Sequence, residues 1–197
     1  NGIASDFALL RSHAAASGIL LDVNRIYVDG VAMGNTFGSV GGTDQRGFHV
    51  ILRSDDTIDV YRVTNTGAAQ SKHPNNLGTW VSDYHTVNNE LYLGRFTIQP
   101  DCPVIYANAK VWLEGEVGGK VTFIAADTGS YAPDILLSNN ITYASASGAS
   151  GLTAIAERSI IVPLVSPDEM TVRGIFVAQT GYFGRNYYET STSHGVP

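Results

Sequence analysis

Along much of this chain, apolar and polar residues alternate with a period of two, in short runs separated by Gly, Asn, Asp and Ser. Such alternation sends successive side chains to opposite faces of a strand and predicts an all-β protein. Phe48-His-Val-Ile-Leu-Arg53 and Ile58-Asp-Val-Tyr-Arg-Val63 flank the polar turn Ser54-Asp-Asp-Thr57, which predicts an antiparallel hairpin over about residues 47–64. Gly18 to Asn24 and Arg25 to Gly30 read as two further strands. Gly34 to Gly47 and Ala68 to Asn76 read as loops, the second because Pro74 is barred from a central strand. Patterns of period 3.6 are scarce. One stretch, Asp6 to Ala16, places Phe7, Leu10 and Ala14 on a common helical face, with Ser5 as N-cap and Gly18 as stop. Phe7 to Leu10 fits a strand equally well.

The second half repeats itself. Phe123-Ile-Ala-Ala126 precedes Asp134-Ile-Leu-Leu-Ser138; Ala154-Ile-Ala-Glu157 precedes Ser159-Ile-Ile-Val-Pro163; Phe176-Val-Ala-Gln179 precedes Gly181-Tyr-Phe-Gly184. Each unit is an apolar stretch containing alanine, a corner, and a second apolar stretch. Recurrence at about 20 residues, with insertions at one corner, predicts a parallel β-solenoid whose stacked coils bury their inward faces together. Asn139-Asn140 and Gly118-Gly119 suit corners that need a left-handed residue. A β-sandwich is the alternative, and repetition of content as well as strand length favours the solenoid. The expected organisation is N-terminal coils with loops and the inserted hairpin over 1–100, then regular coils with a C-terminal cap or tail over 101–197.

Composition narrows the functional classes. The 197 residues carry a formal charge of -6, which argues against a duplex nucleic-acid reader. Charged residues make up 15%, so the polar surface is mostly neutral. The single cysteine, Cys102, excludes an internal disulfide and multi-cysteine metal sites, and is expected to be a small buried side chain. No apolar run is long enough to span a bilayer. The chain opens at Asn1, as expected of a processed product or a fragment.

Val111-Trp-Leu-Glu-Gly-Glu-Val117 and Gly119-Lys-Val-Thr-Phe-Ile-Ala-Ala126 resemble a stretch of PilX-type pilus-assembly proteins. Asp134-Ile-Leu-Leu-Ser-Asn-Asn-Ile-Thr-Tyr143, Gly151-Leu-Thr-Ala-Ile-Ala156, Val172-Arg-Gly-Ile-Phe-Val-Ala178 and the closing Gly181-Tyr-Phe-Gly184 are similar to their following coils. The resemblance covers about residues 104–188. It implies a bacterial β-solenoid outside the cytoplasmic membrane, at the cell surface or on a type IV pilus, as in a minor pilin. The partners it implies are other pilus or surface subunits, a glycan or an abiotic surface. Membrane contact would come only through an N-terminal pilin-like helix absent from this sequence. Its motifs are structural, so the expected role is structural or adhesive and non-enzymatic, with no cofactor.

Candidate chemistry is sparse. The five histidines (13, 49, 73, 85 and 194) include no pair spaced for one metal. Gly38-Ser39-Val40-Gly41 lacks the spacing of a nucleophile elbow, and no G-K-[ST] follows the glycines of 34–47 to make a phosphate cradle. Asp55, Asp56 and Asp59 form a weak calcium candidate, since a turn rich in Asp is explained by local backbone bonding. Glu114, Glu116 and Asp168 with Arg158 and Arg173 would serve a β-helical polysaccharide lyase or hydrolase if they met in one groove. Trp80, Tyr84, Tyr92, Tyr182, Tyr187 and Tyr188 are the candidate binding residues, because rings on a rigid sheet stack on sugars or anchor proteins; capping of the solenoid core is the competing role.

Overall fold

The computed structural model describes residues 3–35, 46–127, 129 and 131–188. One helix, α1 (Ile3–Ser17), precedes β1 (Ile19–Leu21), β2 (Arg25–Val28), β3 (Val31–Asn35) and β4 (Gly47–Leu52). Two long strands follow, β5 (Thr57–His73) and β6 (Asn76–Thr97). The remainder is β7 (Val104–Ala107), β8 (Lys110–Val117), β9 (Lys120–Ala125), β10 (Ile135–Tyr143), β11 (Gly151–Ala156), β12 (Ile160–Val162), β13 (Ile175–Ala178) and β14 (Phe183–Arg185). The protein is therefore mostly β, as the alternation predicts. No helix among the described residues is long and apolar enough to cross a membrane.

The strands form two mixed sheets of order β13-β11-β9-β7-β1-β2-β3 and β14-β12-β10-β8-β4-β5-β6. From β7 onward the chain alternates between them, and each arrival pairs in parallel with the previous one. Phe123 pairs with Ala154, and Ala154 with Phe176, so the three repeated segments stand in the register that their sequence alignment gives. In the other sheet Ile135 pairs with Ile160, and Ile160 with Phe183.

Alternation explains the core. Ile19, Ile105, Phe123 and Ala154 point inward from the first sheet; Phe48, Val111, Ile135 and Ile160 meet them from the second, all fully buried. Complete burial of each large side chain contributes about 1.5–3 kcal/mol. Residues between them face outward, and both outer faces are partly covered. α1 lays Phe7, Leu10 and Ala14 over Leu20, Tyr106 and Ile124. The helical reading of 6–16 thus holds, although α1 begins ahead of Ser5, which lies inside it and cannot be the N-cap.

The loop expected over Ala68 to Asn76 is instead the tip of a hairpin. β5 and β6 pair from Thr57–Thr97 to His73–Asn76, with Pro74 confined to the two-residue turn. Several register shifts let this arm twist, and Pro74 loses no ladder bond there. The hairpin expected at 47–64 is present, with Asp56 in its turn at φ 60°, but β4 also pairs in parallel with β8 and so belongs to the main sheet. The Gly34 to Gly47 stretch begins in β3 and ends in β4. Its residues 36–45, with the Gly38–Gly41 segment, lie outside the described residues.

Two further expectations change. Neither Asn139-Asn140 nor Gly118-Gly119 has a positive φ; in this part of the stack the positive φ falls on Gly115, at 116° in β8. It lies opposite the β10 irregularity between Leu137 and Ile141, where Asn139 and Asn140 form the excursion. Gly118 is demanded by proximity, since a Cβ there would strike the Ser54 carbonyl and the Asp56 carboxylate. Cys102 is half-buried in a turn closed by its N–H to the Gln99 carbonyl, between the core residues Ile98 and Ile105.

Candidate functional site

Beyond its base, the arm folds back across the outer face of the second sheet. Trp112, Leu136 and Ile161 from three successive strands are buried beneath it with Val63, and Val87 and Tyr182 pack against them. The buried Trp112 indole needs a partner and donates Nε1–H to the His85 carbonyl at 2.6 Å. At its tip the arm meets the segment that follows β14, where Lys72 and Tyr187 exchange two backbone hydrogen bonds of 2.9 and 3.0 Å.

Asp83 fastens this junction. It is 5% exposed and accepts hydrogen bonds from the Ser71 hydroxyl, from Asn186 Nδ2 at 2.6 Å and from the Tyr188 hydroxyl at 3.3 Å. His73 Nε2 lies 2.8 Å from its other oxygen. Burial pushes the Asp83 carboxyl up, but the His85 charge and the converging hydrogen bonds outweigh this and hold it below its ordinary value. Asn186 is one hundred and three positions away in sequence.

Between arm and sheet lies a cavity of about 450 Å3. Asp83 and His85 reach it from β6, Lys110 from β8, and Asp134, Arg158 and Ser159 from the corners before β10 and β12. Asp134 is 2% exposed and takes a two-pronged ion pair from Arg158, Nε to Oδ1 at 2.8 Å and a terminal nitrogen to Oδ2 at 2.6 Å. The Ser159 N–H adds a bond of 2.9 Å to the same carboxylate. Lys110 is 1% exposed, with Nζ 3.5 Å from the Tyr84 carbonyl. His85 is 8% exposed, and its Nδ1 has no hydrogen-bond partner. The nearest carboxylate oxygen, on Asp83, stands 3.8 Å away. Burial lowers the His85 pKa from 6.5 to about 4 against the opposing charge of Asp83, so the ring is neutral at neutral pH.

A depressed histidine pKa stabilises the fold above the unfolded value of 6.5, and this contribution is lost as pH falls through the folded value near 4. Acidification from about pH 7 to about pH 5 should therefore remove about 2 kcal/mol of stability through His85. His49 has the opposite sign. Burial lowers its pKa, but hydrogen bonds with Glu114 and Glu90 outweigh that and raise it, so its contribution is present at low pH and lost as pH rises. Denaturant titrations in a His49→Gln background isolate the His85 effect; NMR titration of the His85 ring should give a midpoint near 4, and a midpoint near 6.5 would contradict the burial account.

No family model matches this chain, and no curated protein or solved structure matches it either.

The sequence candidates distribute unevenly. Trp80 and Tyr187 meet at the arm tip with ring centroids 6.1 Å apart, and Lys72 Nζ lies 4.7 Å from the Trp80 centroid. Tyr84 and Tyr182 line the cavity, and Tyr188 reaches Asp83. Tyr92 stands apart, 5.1 Å from Tyr61 and hydrogen-bonded to Asp59. Asp59 is buried, and Arg53 and Arg95 occupy both its oxygens and lower its pKa to about 2. Asp55 accepts from the Thr57 hydroxyl instead. Among the described residues no three His, Cys, Asp or Glu side chains gather as metal ligands.

Glu114 lies between His49 Nε2, at 3.4 Å, and the Ser138 hydroxyl, also at 3.4 Å, beside a second, smaller cavity. Arg158 lines the larger cavity, while Glu116, Asp168 and Arg173 line neither. Asp83, His85, Lys110 and Asp134 were not singled out from sequence. Asp83 and His85 are two apart on one strand and so share a face, a signal that was available. Their meeting with Asp134 and Arg158 depends on how the arm folds back, which no local pattern encodes.

Proposed function

We propose that this chain is a non-enzymatic structural and adhesive domain displayed outside the bacterial cell: a parallel β-solenoid of a pilin-like or pilus-associated protein that binds a glycan, a surface or a neighbouring subunit. The observation that carries the reading is the alternation of strands between two sheets, each pairing in parallel with the last, with the like positions Phe123, Ala154 and Phe176 in one register and Ile135 and Ile160 in the other. Such a stack satisfies its backbone coil by coil and makes a stiff support whose corners can vary independently. The pilus assignment adds to this the resemblance of residues 104–188 to PilX-type coils.

A β-helical polysaccharide lyase or hydrolase receives less support, because Glu114 and Arg158 line separate cavities and Glu116, Asp168 and Arg173 line neither. Location tests the proposal. Shearing the producing cells and separating filaments from membranes should recover these peptides by mass spectrometry in the filament fraction. Recovery solely as free secreted or cytosolic protein would overturn it.

A further inference from the structure

We infer that the cavity between the arm and the second sheet is a binding site for a neutral saccharide of one or two rings. This deepens the adhesive reading by naming the ligand class, and it is tested on purified protein, so its failure and that of the filament assignment are separable. The volume, about 450 Å3, lies in the range of small-molecule sites.

The charge pattern selects the class. Two buried or paired cations, Lys110 and Arg158, face two buried carboxylates, Asp83 and Asp134, and Arg158 is already committed to Asp134. A charged ligand would bring an uncompensated charge into a site that is balanced without it. A neutral polyol does not. His85 supplies a polar group without an answer: the residue is nine-tenths buried between this cavity and the second, lining both, and its Nδ1 has no hydrogen-bond partner. Such an atom otherwise carries a desolvation penalty, which a ligand would relieve. Whether Nδ1 carries the ring proton or the lone pair, a hydroxyl can complement it, since hydroxyls both donate and accept. Tyr182 lines the same space and offers an aromatic side chain for the C–H face of a sugar.

The test is an NMR titration of the purified chain with the methyl glycosides of D-glucose, D-galactose, D-mannose and N-acetyl-D-glucosamine, and with D-glucuronate as the charged counterpart. At least one neutral glycoside should shift the His85 and Tyr182 signals saturably, and glucuronate should bind more weakly than glucoside. His85→Leu should weaken binding by about tenfold, the equivalent of one lost buried hydrogen bond. Should His85→Leu not fold, Thr180→Trp replaces it: Thr180 lies at the exposed edge of the cavity, so tryptophan there should block binding while leaving the amide spectrum of the two sheets in place. The inference is overturned if no neutral glycoside shifts these signals, if glucuronate binds more tightly than glucoside, or if Thr180→Trp binds as the native chain does.

Discussion

Truncating Phe123 to alanine is expected to lower the stability of the protein by about 4 kcal/mol. Phe123 is fully buried and stands between Ile105 and Ala154 in the inward ladder of the first sheet. Its neighbour Ala154 is small, and strands spaced about 4.8 Å apart by their hydrogen bonds cannot close in to fill the space. The result should be a cavity that persists, which places this substitution at the upper end of the range for large-to-small changes. Urea denaturation should show a lower midpoint with an unchanged slope. Ile175→Ala is the matching control: Ile175 is 65% exposed on the last strand of the same sheet, and its loss should change stability by no more than about 0.5 kcal/mol.

Asp83→Ala should cost about 4 kcal/mol in docking of the arm, because it strands several buried donors at once. Ser71, His73, Asn186 and Tyr188 all converge on this carboxylate, which is itself buried. The loss should be local first. Amide exchange at Lys72 and Tyr187, which bond to each other across the junction, should accelerate by orders of magnitude, while the amides of β9 and β11 keep their protection. Trp80 fluorescence should change as its contact with Tyr187 is released. Uniform loss of protection over the whole chain would show instead that the arm and the sheets form one cooperative unit.

Much of the fold was legible in the sequence because it rests on local periodicity. Period-two alternation set the strands. The recurrence of Phe123-Ile-Ala, Ala154-Ile-Ala and Phe176-Val-Ala set a register that the pairing reproduces. The helix face Phe7, Leu10, Ala14 is the face that packs on the sheet. The arm's tip differs from the expected loop because Pro74, which bars a central strand, sits in a two-residue turn between long strands, where proline is accommodated as readily. The polar cavity was illegible for a different reason. Lys110, Asp134 and Arg158 are ordinary charged residues in local context; Lys110 and Asp134 are buried, and all three line a cavity closed by a hairpin from elsewhere in the chain. Aromatic clustering was a partial signal: it picked Trp80, Tyr84, Tyr182, Tyr187 and Tyr188 at the junction but also Tyr92 away from it.

The parallel register of the repeated strands is the claim on which the proposed solenoid depends, and engineered disulfides test it directly. Thr122 and Thr153 are partners in adjacent parallel strands, so their Cα atoms fall within the span that a disulfide bridges. In a Cys102→Ser background, Thr122→Cys with Thr153→Cys should oxidise quickly to an intramolecular bond in the folded protein. Thr122→Cys with Ile155→Cys, displaced by two residues along the strand, should remain reduced. Cross-linking of the displaced pair in preference to the in-register pair, or of neither, would contradict the stacked-coil account and favour an antiparallel sandwich.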